Sequence, residues 1–126
     1  MAVSNRQNME TFLADAAITK GHAVKPGTDA SHVAKGTANT SKCIGIAQSA
    51  PTTAEDAVEV ALPGGGAKGL LGETVTAGAY LVSHTDGTLV LPNAAGDHVI
   101  AMALEGGVSG DLINVLVCAF EAYNAE

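Results

Sequence analysis

With a net charge of −7 over 126 residues and only six Lys or Arg, the chain lacks the basic stripe that displaces phosphate counterions, which argues against sequence-independent nucleic-acid binding. No run reaches the roughly 18 apolar residues of a membrane-spanning helix and no charged-then-apolar leader opens the chain, so no membrane partner and folding in a reducing cytoplasm are expected. The length fits one domain, but two Phe, two Tyr and no Trp leave a core with few large anchors, which predicts burial against further copies of the chain.

Residues 1–16 (MAVSNRQNMETFLADA) are polar, with apolar points at Val3, Met9, Phe12 and Leu13. Met9, Phe12 and Leu13 have the i, i+3, i+4 spacing of a short amphipathic helix, yet nothing caps it and its flanks are polar. The segment reads as an N-terminal arm that orders on a partner, or as a frayed tail, with the single β domain spanning 17–126. Residues 17–27 alternate loosely and turn at Pro26-Gly27, and the polar stretch 28–42 holds one short strand at 32–34. Residues 43–48 (CIGIAQ) predict a strand in which Gly45 relieves crowding or makes a bulge. Thr52 and Glu55 have capping-box spacing. The segment after them, AVEVAL at 57–62, has period two instead: Val58, Val60 and Leu62 face one way and Glu59 the other. Pro63-Gly64-Gly65-Gly66 reverses the chain, 67–71 resumes extended structure, and 72–78 turns with Val75 inward.

The stretch 75–117 is the most regular: short runs of Val, Ile and Leu alternate with Gly, Asp, Asn and Pro clusters. His84-Thr85-Asp86-Gly87 should fold residues 80–83 onto 88–91, since Asp-Gly offers the positive φ angles of tight hairpins. Residues 97–104 and 111–119 are the last strands, joined by a Gly-rich loop at 105–110, with Phe120 closing the end of the core. The fold class is all-β, a small closed or sandwiched domain.

Chemistry is sparse. His22, His32, His84 and His98 stand apart from one another and from cysteine, and no CxxC or HExxH occurs, so no metal or other cofactor is expected. His84 reads as a turn residue and His98 as an outward strand position. Cys43 and Cys118 lie in or beside apolar runs and read as buried, inert thiols. The stretch Gly64-Gly65-Gly66-Ala67-Lys68-Gly69 lacks the spacing, the following Ser or Thr and the helix of a phosphate loop. Ser109 sits in a turn with no G-x-S-x-G elbow, and Glu55-Asp56 are surface neighbours. The chain is therefore not expected to be an enzyme; a site assembled between subunits from His22, Asp97 and His98 is the enzymatic alternative. A small ligand- or carbohydrate-binding β module is the other, against which Tyr80, Tyr123, Phe12 and Phe120 are few for aromatic platforms.

Residues 57–117 carry an ordered series of motifs: a Val-rich strand, a small-residue turn, V-T-A-G before an apolar strand, an x-D-G hairpin, AGDHVIAMALE and SGDLINVLV, with KCIGIAQ upstream at 42–48. This series resembles the head decoration, or capsid cement, proteins of tailed bacteriophages. The resemblance implies a β-barrel or β-tulip domain, homotrimeric, made in the cytoplasm of a host bacterium and seated on the outer capsid surface of the virion. There it would bridge major capsid protein subunits and stabilise the expanded shell. It also implies an arm that reaches along the capsid, which makes Val3, Arg6, Met9, Phe12 and Leu13 the candidate capsid-binding residues.

Overall fold

Short period-two segments separated by glycine turns fold here into two small sheets. A computed structural model describes residues 8–94 and 96–121, which form ten strands and no helix. The first five are β1 (Asn8–Ala14), β2 (Ala23–Pro26), β3 (His32–Lys35), β4 (Gly45–Ala47) and β5 (Ala57–Leu62). They close a barrel in the order β1-β3-β2-β4-β5, with β5 returning antiparallel onto β1 and β1 running parallel to β3. The other five are β6 (Gly66–Leu70), β7 (Tyr80–Ser83), β8 (Leu89–Val90), β9 (His98–Ala103) and β10 (Leu112–Glu121), in the antiparallel order β6-β10-β9-β7-β8. A parallel bridge between Leu71 and Leu89 draws the two edges of this second sheet together. The all-β class and the small barrel expected from the sequence are what the chain forms.

The barrel is filled by Ala14, Ile18, Val24, Val33, Ala47, Val58 and Val60, with Phe12 and Leu62 packed against them. A larger core lies between the units. Leu71, Leu81, Leu89, Ile100, Ile113, Val115 and Val117 meet Ala23, Ile46 and Ala61, which the barrel strands present outward, and Cys43 from the segment entering β4. The middle of the barrel wall is thus buried on both faces, and all three residues of β4 are buried. Gly45 is required for that layering: a Cβ there would come 2.3 Å from the carbonyl oxygen of Ala61 on β5.

The stretch read as an arm needs correcting. Residues 8–14 are a barrel strand, in register with β5 from Asn8↔Leu62 to Leu13↔Ala57 and with β3 at Leu13↔His32 and Ala14↔Val33. With period two, Phe12 and Ala14 turn inward while Met9, Thr11 and Leu13 take the other face, so the helical spacing has no structural counterpart. The domain therefore begins before residue 17. Val3 and Arg6 lie outside the described residues.

The hairpin at 84–87 forms as expected with one difference. Gly87 N donates to His84 O at 3.1 Å and His84 N to Thr88 O at 2.7 Å, and of the two turn residues only Gly87 has positive φ, at 90°. Asp86 stays in ordinary backbone space because its carboxylate accepts from the Thr88 amide and hydroxyl. This is a type I turn followed by a left-handed glycine. Val75 is inward as expected, pairing with Gly107 across the 105–110 loop.

Candidate interaction surface

β10 is the longest strand, and its two faces differ in a way that alternation alone explains. Ile113, Val115 and Val117 enter the core, while Leu112, Asn114 and Leu116 point outward. The register places Leu116 opposite Met102 on β9, and Met102 opposite Tyr80 on β7, so these three share one row of the outer face. Leu104, two residues beyond Met102, continues that face, its amide held by the Asn114 carbonyl at 3.0 Å.

Phe120 lies on the same face as Leu112, Asn114 and Leu116, as period two from the inward Ile113, Val115 and Val117 requires. A bulge between Val117 and Phe120 shifts the pairing with β9, so that Phe120 lies opposite Val99. Phe120 therefore does not cap the core as the sequence suggested; it is 41% exposed and meets Tyr80 edge-on, with ring centroids 5.1 Å apart. Tyr80, Leu104, Leu112, Leu116 and Phe120 are 37–53% exposed. Outward positions on a sheet with one wet face are ordinarily polar. Tyr80, Leu104, Leu112, Leu116 and Phe120 instead make a contiguous apolar set on three adjacent strands, a candidate interaction surface. Its polar flank includes Lys68 on β6, opposite Asn114, and Glu105, whose carboxylate accepts the Asn114 amide at 2.7 Å.

Of the sequence-predicted capsid contacts, Met9, Phe12 and Leu13 are among the described residues. Met9 is exposed, Leu13 is half-buried on the same outer side of β1, and Phe12 is turned into the barrel.

The residues singled out for chemistry hold loops. Asp97 is buried, and its carboxylate accepts from the amides of Asn93 (2.9 Å) and Ala94 (3.2 Å) and from Asn39 Nδ2 (3.5 Å). His98 is half-buried rather than outward, its Nε2 donating to the Cys43 carbonyl at 3.0 Å and so tying β9 to the chain entering β4. Cys43 and Cys118 are free thiols, and burial pushes the Cys43 thiol up to about 11, which keeps it protonated and unreactive. Among the described residues, no three His, Cys, Asp or Glu side chains are placed to hold a metal ion.

Two histidine environments were illegible in the sequence. His32 lies between carboxylates, Nδ1 2.7 Å from Asp29 and Nε2 3.0 Å from Glu55, and these hydrogen bonds hold its pKa above 6.5. Glu55, at a φ of 73°, is bent into that contact instead of capping a helix with Thr52; Asp56 accepts the Thr52 and Thr53 amides. His22 is buried against the hairpin tip, its Nδ1 unpartnered, and a Cβ on Gly87 would come within 2.9 Å of that atom. Burial first, then Lys35, lowers its pKa below 6.5, against a smaller opposing pull from Asp86.

The two histidines act with opposite sign. A lowered folded pKa means the unfolded chain binds the proton better, so the His22 contribution is present above pH 6.5 and is lost as pH falls. The raised pKa of His32 gives a contribution present below pH 6.5 and lost as pH rises through its folded value. We expect His22→Gln to flatten the loss of stability between neutral and mildly acidic pH, and His32→Gln to steepen it. Denaturant midpoints at both pH values check this, and parallel curves for the two variants and the parent would refute it.

No protein-family model matches the chain, and no curated protein matches it. Among solved structures, the chain is similar to the N base of head fiber gp8.5 in bacteriophage phi29, with a TM-score of 0.69 and 18% identity over 96% of this chain and 99% of that one. At that identity the likeness is one of fold.

Proposed function

We propose that this protein is a non-enzymatic structural component of a tailed-phage head. It binds the outer surface of the shell, bridges neighbouring major capsid subunits and holds the expanded head together as a self-associating subunit, a homotrimer by the resemblance. The observation that carries this reading is the end-to-end likeness in fold to the base of a phage head fiber. The motif series at 57–117 supports it independently, and so does an exposed apolar sheet face in a chain whose His32, His98 and Asp97 side chains hold loops and strands together. Binding the assembled shell better than a loosened one contributes RT ln(1 + [L]/Kd) per site, so many copies with modest contacts stabilise a head.

Heads saturated with the protein should release DNA at a higher temperature than bare heads, and equal release would remove the function. Attachment is proposed to run through the amino-terminal side, from Val3 and Arg6 to the outward Met9 and Leu13. Deleting residues 1–7 should leave the domain folded, since β1 begins at Asn8, and should lower occupancy on heads severalfold. Unchanged occupancy in a sedimentation assay would place the contact elsewhere.

A further inference from the structure

We infer that the outer face of β10, β9 and β7 is where one copy of this chain packs against another. The inference deepens the self-association part of the proposed function and stands apart from head binding.

The face is built for cover. Leu112, Leu116 and Phe120 on β10, Met102 and Leu104 on the β9 side, and Tyr80 on β7 form one uncharged apolar surface. From the exposures of these side chains, at ~150–250 Å² for a large apolar or aromatic group, the face presents about 500 Å² of apolar area. A stable interface takes about 800 Å² from each partner, and between identical chains roughly 65% of it is apolar. The area available matches what such an interface needs from one side.

Charge favours a second copy over an arbitrary partner. Two chains of net charge −7 repel in most orientations. They approach at least cost where apolar side chains meet, and Tyr80, Leu104, Leu112, Leu116 and Phe120 are uncharged. Its flank carries both signs, Lys68 on β6 and Glu105 beyond β9, so the same patch offers a cation and an anion to a symmetry mate. The edge-on contact between Tyr80 and Phe120 already fixes two rings in the free subunit, which lowers the ordering cost of association.

The test is the solution mass of the 12.5 kDa chain by light scattering across a dilution series, with circular dichroism to verify folding. The wild type should show a mass of two or more chains. Leu116→Glu and Phe120→Glu should each weaken association about 100-fold, as a charge at the centre of an interface does. Val108→Glu, on a more exposed apolar residue of the 105–110 loop, should leave the mass unchanged. If Leu116→Glu does not fold, the milder pair Leu104→Ser with Phe120→Ser replaces it. A monomeric wild type overturns the inference, and so do folded variants that keep the wild-type mass. Head binding is scored separately. Monomeric variants that still coat heads leave the inference standing, whereas an intact oligomer that ignores heads removes the head-binding function alone.

Discussion

Deleting residues 1–16 is expected to unfold the amino-terminal barrel, because it removes β1. β1 is the seam strand. It pairs with β5 along its length and with β3 at its end, so its loss opens the barrel and strips partners from the backbone on both sides. It also removes Phe12 and Ala14 from the filling and exposes Val33, Val58 and Val60 to water. Each large side chain returned to water costs about 1.5–3 kcal/mol and each lost backbone hydrogen bond about 1 kcal/mol. The total reaches most of the roughly 5–15 kcal/mol that holds a domain folded. We expect the 17–126 fragment to lack a cooperative melt, read by circular dichroism and by dye binding to exposed apolar surface. A sharp melt near that of the full chain would show that β1 is dispensable.

That result bears on what the sequence could disclose. The local signals were reliable: Asp86-Gly87 marked a hairpin and AVEVAL marked a half-buried strand, because both depend on residues within a few positions. The role of β1 depends on pairing with residues about fifty positions away, and its inward residues are one Phe and one Ala, too little to reveal period two. Distance also hid His98, whose partner is the Cys43 carbonyl, and His32, whose second partner is Glu55 across the 53–56 turn. The apolar face was half legible. LINVLV is apolar on both strand faces, but only the register with Met102 and Tyr80 shows the outer residues forming one surface. Phe120 keeps the period of Leu112, Asn114 and Leu116, so alternation along β10 already turns it outward; its contact with Tyr80 depends on strands far apart in sequence.

Val115→Asp should unfold the protein, while Leu116→Glu, one residue along, should leave it folded and only separate the copies. Val115 is fully buried near the centre of β10, opposite Ala67 on β6 and Ala103 on β9, in the core shared with the barrel wall. A Cβ on Gly69 would touch its methyl groups at 3.4 Å, so the pocket has little room for a hydrated carboxylate. The change forfeits about 1.5–3 kcal/mol of burial and adds several kcal/mol for a polar group without a partner. Together these approach the whole stability of a domain of this size. Leu116 belongs to the opposite face and is already 37% exposed, so a carboxylate there stays in water. Expression, thermal melting and solution mass of the two variants read the register directly. If both unfold, the outer face is part of the core; if both fold, Val115 is not where the strand register puts it.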